Sequence, residues 1–235
     1  MKVGLISDVH GNDEALARCL EILDGLGVEK VCFLGDAVGY LPGVGAVPIL
    51  EAACSIRLKG NHEAMLLEVE KVDPYRDRVY QLQKTHKLAS GTDILQRIAS
   101  WPLELSETWG ACRAQLVHGS PADPLGGYIY PDTQLPLLFG GEFTHVICAH
   151  THRPFVRKSG DVTWINCGSI GLPRDDGRYG AFAVLDTASG KADICRFDIV
   201  EATRRALARV GSIENEVLAV YQRRAAHSLT GEIVG

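Results

Sequence analysis

Residues 2–12, KVGLISDVHGN, hold the pattern on which the fold prediction rests. A short apolar run is followed at once by a polar turn that contains Asp8 and His10, as at the end of a buried strand. Beyond Asn12, a candidate helix N-cap, apolar residues recur at helical spacing until two glycines interrupt them. This stretch therefore predicts a strand over residues 2–7 followed directly by a helix.

The same rhythm repeats through the first half of the chain. Apolar runs at residues 31–34 and 55–58 predict two further strands, and the pattern over 43–53 predicts a helix between them. This β-α-β-α-β order favours an α/β fold whose first half is largely parallel. Residues 64–100 then indicate mostly helix, with an interruption near residues 73–74.

The second half is richer in strands. Patterns of strand type occur at residues 112–117, 144–148, 155–158, 163–165, 181–185 and 192–197. Short turns separate several of them, as in antiparallel hairpins. Residues 119–132, rich in Gly, Pro, Tyr and Asp, are the longest predicted loop. A helix is predicted over about 200–226, where it would either cover a sheet edge or form a dimer contact.

Composition limits the classes of function. The chain has 235 residues and a net charge of −5, and its basic residues cluster only in short Arg pairs. A nucleic-acid-binding surface is therefore not expected. No run approaches the roughly 20 apolar residues of a membrane span. The seven cysteines form no C-x-x-C pair, which predicts buried, reduced thiols in a cytoplasmic protein.

Polar residues with metal-binding side chains follow five of the predicted strands. They are Asp8 and His10, then Asp36, then Asn61 and His62, then His118, and finally His150 and His152. Because ligands bind at the carboxyl ends of strands in open α/β sheets, we expect these side chains to meet at one edge. Carboxylate, amide and imidazole groups bind Mn²⁺, iron or Zn²⁺. In D-x-H and H-x-H, residues two apart would point the same way on an extended backbone.

These motifs resemble those of the calcineurin-like metallophosphoesterases, which carry D-x-H, G-D, G-N-H-[D/E], H and G-H-x-H in this order. The match spans residues 8–152, and the one departure is Ala149 in place of the glycine before the last motif. The resemblance implies a single metallophosphoesterase domain over residues 1–235. It also implies a four-layer αββα sandwich, with two mixed β-sheets flanked by helices.

The resemblance also implies a role for each matched residue. One divalent cation would be bound by Asp8, His10 and His152, and the other by Asn61, His118 and His150, with Asp36 bridging them. His62 would be the catalytic acid or a transition-state stabiliser. Mn²⁺ is the expected metal, with iron, Zn²⁺, Ni²⁺ or Co²⁺ as alternatives. Two such cations activate a bridging hydroxide for in-line attack on phosphorus. Asp13 and Asn166 are candidates to support the ligands.

The expected substrate is a small phosphorylated molecule, including nucleotides. The segment after Asp36 has Gly39 and Tyr40 where Ser/Thr protein phosphatases of this superfamily have Asp-Arg-Gly, and so resembles small prokaryotic phosphodiesterases and dinucleoside polyphosphatases. Arg174 is a candidate substrate-binding residue because a guanidinium matches phosphate geometry. An aromatic surface for a base or aryl group is expected around residues 128–130. A phosphoprotein phosphatase, a non-catalytic metal-binding scaffold and a homo-oligomer remain open alternatives.

Overall fold

The structure is a computed structural model that describes residues 1–137 and 140–235. Its strands are β1 (Lys2–Ile6), β2 (Lys30–Phe33), β3 (Ile56–Arg57), β4 (Glu104–Trp109), β5 (Cys112–Val117), β6 (His145–Cys148), β7 (Phe155–Ser159), β8 (Val162–Asn166), β9 (Tyr179–Asp186), β10 (Lys191–Asp198) and β11 (Glu232–Ile233). Its α-helices are α1 (Asp13–Gly25), α2 (Ala46–Ala53), α3 (Asn61–Leu67), α4 (Pro74–Tyr80), α5 (Leu82–Ala89), α6 (Ile94–Ala99), α7 (Val200–Val210) and α8 (Asn215–Gln222), with a 3₁₀-helix at Val69–Lys71.

The strands form two mixed sheets. The first has the order β11-β10-β9-β1-β2-β3, and the second has the order β4-β5-β6-β8-β7. Strands β1, β2 and β3 are parallel to one another, as are β5, β6 and β8. Each of these strands therefore delivers its carboxyl end to an edge where loops from neighbouring strands can meet.

The sheets pack face to face through one apolar core. Leu5 of β1 and Ala183 of β9 pack with Leu116 of β5 and Ile147 of β6, all of them fully buried. A second core, which includes Leu16 of α1, lies between the other face of the first sheet and the helices. Residues from the loop after β5 cover the outer face of the second sheet. The expected fold class, two mixed sheets flanked by helices, is confirmed.

Three details differ from the sequence-based expectations. Strand β4 was not expected because its polar sequence, ELSETW, occupies a half-exposed edge and contains no apolar run. Strand β11 was not expected either, because its two residues are both exposed and are too few to show an apolar pattern. The predicted helix over 200–226 is instead two helices, because Gly211 at φ 76° ends α7 before α8 begins.

Three further features of the chain are the state of the cysteines, the apolar character of the helices and the start of α4. All seven cysteines are buried and free. In the part of the chain that the structure describes, no helix combines the length and apolar character needed to cross a bilayer. Asp73 caps α4, and Pro74 is the first residue of that helix, which accounts for the interruption expected near residues 73–74.

Candidate metal centre

The strand-end residues come together in one buried pocket at the carboxyl ends of the parallel strands. We call the following residues the pocket floor: Asp8, His10, Asp36, Asn61, His118, His150 and His152. Asp8 and His10 follow β1, Asp36 follows β2, and Asn61 begins α3 just after β3. His118 follows β5, and His150 and His152 follow β6. The structure thus brings together all seven residues predicted to bind metal, and His62 lies beside them.

Three ligand atoms converge on one side of the floor. The Nε2 atoms of His10 and His152 are 3.1 Å apart, and Asp8 Oδ1 lies 3.2 Å from Nε2 of His152 and 3.7 Å from Nε2 of His10. Asp8 Oδ1 is buried and has no hydrogen-bond partner among the described residues. A buried carboxylate oxygen with no such partner, facing two imidazole nitrogens, fits a cation ligand.

A second group of ligand atoms converges on the other side of the floor. His118 Nε2 lies 3.0 Å from Asn61 Oδ1 and 3.1 Å from His150 Nδ1. Asp36 Oδ2 lies between the two groups, 3.4 Å from His118 Nε2 and 3.8 Å from His10 Nε2. The floor can therefore hold two cations with one carboxylate between them.

The floor backbone is not extended, in contrast to the expectation for the D-x-H and H-x-H motifs. Asp8, His10, Asp36, His150 and His152 all have φ between 49° and 64°. A left-handed backbone conformation is unusual for residues other than glycine. It occurs where surrounding contacts enforce it. Backbone hydrogen bonds between the loops supply such contacts, for example 3.0 Å from Asp8 N to Gly35 O and from His10 N to Asp36 O.

Main-chain carbonyls orient three of the imidazoles. The Nδ1 atom of His10 lies 3.1 Å from the carbonyl of residue 38, that of His118 lies 2.8 Å from the carbonyl of residue 34, and that of His152 lies 2.5 Å from the carbonyl of residue 172. Each contact leaves Nε2 to face the floor as a candidate ligand nitrogen. These partners could not be recognised in the sequence, because any residue type presents the same carbonyl.

Glu63 fixes the loop that carries Asp36, a role that the sequence did not reveal. Its buried carboxylate accepts hydrogen bonds from the backbone N–H groups of residues 36, 37, 38 and 60, at distances of 2.7 to 3.3 Å. Burial raises the pKa of Glu63 to about 7. A carboxylate with several amide donors is a rigid support, and it joins the loop after β2 to the start of α3.

His62 lies above the floor between two tyrosine rings. Its ring is stacked on Tyr40 at a centroid distance of 5.1 Å and contacts Tyr80 at 4.7 Å. Its Nδ1 is buried against Gly39, where an added Cβ would lie 2.1 Å away, and has no partner among the described residues. Nε2 is therefore the nitrogen available to a ligand. Burial lowers the pKa of His62 to about 3.

The two candidate supporting residues have different surroundings. Asn166 donates hydrogen bonds to the carbonyl of Ala149 at 2.7 Å and to the Thr151 hydroxyl at 3.0 Å, and so holds the loop that carries His150 and His152. Asp13 instead forms an ion pair with Arg209 of α7. Asp13 therefore ties α7 to α1 at the surface, and only Asn166 fits the predicted support of the ligands.

A more exposed set of residues, which we call the pocket wall, surrounds the floor: Tyr128, Tyr130, Arg153, Arg174 and Arg223. Tyr128 is stacked nearly parallel to Tyr130, at 5.8 Å and 10°, and its ring centroid lies 4.3 Å from that of His150. Arg174 Nη2 donates a hydrogen bond to the Tyr40 hydroxyl at 2.9 Å. Arg174 and the two tyrosines therefore line the same pocket as the floor residues.

Most charges of the floor suit cations, with His118 as the exception. Burial opposes its protonation, but the Asp36 carboxylate raises the pKa of His118 to about 9, so a bound cation would have to displace that proton. Although burial opposes it, His152 and the neighbouring histidines hold the pKa of Asp8 well below its usual range. Burial lowers the pKa of His150 to about 4. Ionised carboxylates and neutral imidazoles are the protonation states that bind metals. The donor set, rich in oxygen and imidazole nitrogen, fits Mn²⁺, iron or Zn²⁺.

Comparison with known proteins identifies the family. The calcineurin-like phosphoesterase superfamily domain matches residues 1–190, so the chain belongs to that superfamily and is a metal-dependent phosphoric ester hydrolase. The resemblance seen in the motifs is confirmed.

Two individual proteins and one solved structure are also similar to this chain. The uncharacterized protein MJ0912 of Methanocaldococcus jannaschii is 27% identical over 219 residues, which cover 85% of this chain and 89% of the relative. The phosphodiesterase YfcE of Escherichia coli K12 is 23% identical over 201 residues, which cover 79% and 88%. A metallophosphoesterase structure from Sphaerobacter thermophilus has a TM-score of 0.73 and 23% identity, with 94% of this chain and 98% of that chain covered. The last comparison supports the fold.

Proposed function

We propose that this protein uses two divalent cations to hydrolyse a phosphodiester, a phosphoanhydride or a small phosphomonoester. Asp8, His10 and His152 would hold one cation, and Asn61, His118 and His150 the other (with Asp36 between them). The observation that carries the proposal is the position of Asp36 Oδ2, within 3.8 Å of a ligand nitrogen from each group. When bound, two such cations supply positive charge for the phosphoryl oxygens and activate water for attack on phosphorus.

The chain itself contributes rigid placement of these ligands. Carbonyls fix three of the imidazole rings, and Glu63 fixes the loop of Asp36 through four amide donors. A reacting phosphate would therefore meet groups that need little rearrangement, which is a main source of catalytic rate.

His62 is placed to assist the leaving group. The two tyrosine rings and Gly39 define its orientation, and Nε2 is free for a substrate oxygen. Because burial lowers the pKa of His62 to about 3, its imidazole is neutral near pH 7, and Nε2–H would donate a hydrogen bond as negative charge develops on the leaving oxygen. We propose this as the role of His62.

The residues that line the pocket favour a small substrate. Tyr40, Tyr80 and Tyr128 enclose the pocket together with Arg174, which offers guanidinium donors for phosphate. The similar Escherichia coli protein carries the name phosphodiesterase, which makes a phosphodiester the first substrate to test. Mn²⁺ is the metal we propose to test first, because the ligand set mixes oxygen and imidazole nitrogen.

The test compares metal-free protein with protein loaded with Mn²⁺. We expect two Mn²⁺ per chain by elemental analysis, and hydrolysis of bis(p-nitrophenyl) phosphate only by the loaded protein. The same preparation should be assayed with p-nitrophenyl phosphate, cyclic nucleotides, dinucleoside polyphosphates and a phosphoserine peptide. Protein that binds two Mn²⁺ but hydrolyses none of these compounds would contradict the proposal and indicate a scaffold.

A further inference from the structure

Three arginines from distant parts of the sequence meet in the pocket wall. Arg153 follows the last floor residue, Arg174 lies in the segment before β9, and Arg223 ends α8. All three line the metal pocket, and all three also line an adjoining groove that includes Arg224. Four of the 24 basic residues of this acidic chain therefore lie together where the pocket opens into the groove, which the sequence alone did not reveal.

These three guanidinium groups are not neutralised by carboxylates. Across residues 1–137 and 140–235, none of Arg153, Arg174 and Arg223 forms an ion pair, whereas eight other arginines do. The acidic residue in the groove, Asp175, is itself paired with the buried side chain of Arg196. The positive charge of the wall is thus available to an anionic ligand.

Hydrogen bonds gather the three side chains but leave donors free. Arg153 Nη2 and Arg223 Nη1 lie 3.5 and 3.3 Å from the same acceptor, the carbonyl oxygen of Arg174. The buried Nε of Arg174 has no hydrogen-bond partner among the described residues. Since a guanidinium has five N–H donors, each of these arginines retains donors for a ligand.

The position of Arg223 depends on the C-terminal segment. The carbonyl of Arg223 accepts a hydrogen bond from the N–H of Gly177 at 3.1 Å, and the N–H of Ala225 donates to Asp176 Oδ2 at 3.1 Å. The Tyr221 hydroxyl donates to the carbonyl of Gly171 at 2.9 Å. Arg223 lies beyond residue 190, where the superfamily match ends.

We propose that Arg153, Arg174 and Arg223 form a second phosphate subsite, which binds the phosphoryl group next to the one attacked. This inference rests on the proposed function, because it places the scissile phosphate on the floor. Guanidinium forks bind phosphate in a bidentate manner, and a one-phosphate substrate would leave the outer arginines without a ligand. The preferred substrate class is therefore one with two consecutive phosphates, such as a nucleoside diphosphate or a dinucleoside polyphosphate.

The test uses two ligands that differ chiefly in the second phosphate. Affinities of adenosine 5′-(α,β-methylene)diphosphate and of AMP are measured by calorimetry on Mn²⁺-loaded protein. In wild type, we expect the diphosphate analogue to bind more tightly. In Arg153→Ala and Arg223→Ala, its affinity should fall roughly tenfold or more, which is the value of one charge-assisted hydrogen bond, while AMP loses less than about threefold. Arg76→Ala, an exposed arginine outside the pocket, is the control and should change neither affinity.

Two results would overturn the subsite. One is an equal loss of affinity for both ligands, which would mean that the arginines only contribute a general positive field. The other is unchanged binding of the diphosphate analogue. Hydrolysis of bis(p-nitrophenyl) phosphate by wild type is measured on the same preparation. If wild type hydrolyses this ester while either of these two results is obtained, the subsite is wrong and the proposed function stands. Because Arg153 and Arg223 are exposed, melting temperatures near that of wild type are expected and verify folding.

Discussion

The pocket floor and the pocket wall differ in how the chain holds them. The floor is buried except for the half-buried Asn61 and His150, comes from strand ends between residues 8 and 152, and is fixed by backbone hydrogen bonds and by Glu63. The wall is largely exposed, with Tyr128 at 60%, and one of its arginines comes from the end of α8. Two sets of residues can therefore lie a few ångströms apart and still differ in how firmly the surrounding chain holds them.

A change in the floor should have the largest effect. Asp36→Asn keeps an oxygen that can accept the hydrogen bond from His62 N but removes the negative charge between the two ligand groups. We expect fewer than two Mn²⁺ per chain and a loss of kcat/KM of roughly a thousandfold or more, because the cations contribute several kcal/mol. Elemental analysis and initial rates measure both effects. Asp24→Asn, at an exposed position of α1, is the control. An active Asp36→Asn enzyme would mean that the floor and the wall do not differ in their importance for catalysis.

His62→Ala separates catalysis from metal binding. The side chain lies over the floor and is not one of the predicted ligands, so we expect two Mn²⁺ per chain to be retained. Loss of this hydrogen-bond donor to the transition state should lower kcat by roughly 10²–10³-fold. The effect should shrink for a substrate whose leaving group needs no proton, such as a p-nitrophenyl ester compared with an alkyl ester. Loss of Mn²⁺ together with activity would instead assign His62 to the floor.

Gly39→Ala tests whether activity and stability depend on the position of the His62 ring. The new Cβ would approach His62 Nδ1 to 2.1 Å, and Gly39 has φ 92°, which disfavours a side chain. We expect a stability loss of about 1–3 kcal/mol and a fall in kcat with a smaller change in KM. Chemical denaturation and steady-state kinetics provide the two measurements.

Gly43→Ala is the matched control for that substitution. Its Cβ would meet no atom within 4 Å, and its φ is not in the left-handed region. Stability and kcat should therefore stay close to those of wild type. A Gly39→Ala enzyme as active as the Gly43→Ala enzyme would show that His62 need not occupy its place beside Gly39.

The smallest effect is expected in the wall. Tyr128→Ala removes an exposed ring that is stacked on Tyr130 and contacts His150. For aryl and nucleotide substrates we expect KM to rise roughly two- to tenfold, which corresponds to about 0.5–1.5 kcal/mol of aromatic contact, with little change in melting temperature. Unaltered kcat/KM for both substrate types would exclude an aromatic contribution to binding.

The floor could be predicted from the sequence because its ligands follow apolar runs in a family order. Its supports could not be predicted in the same way, since carbonyls such as that of Leu172 carry no residue signature. The left-handed backbone at Asp8 and His10 was also missed, because loop contacts that are distant in sequence impose it. The arginine cluster needed the fold, which joins residues 153, 174 and 223.

The segment between β8 and β9 touches both regions at once. The Ser169 hydroxyl donates to the carbonyl of Asp8, the carbonyl of Leu172 meets His152, and Arg174 follows two residues later. Substitutions in the floor and in the wall should therefore not act as independent, additive perturbations. Substitutions that adapt the wall to a new substrate should therefore also affect the floor. Double-mutant cycles between the two regions would measure the size of this coupling.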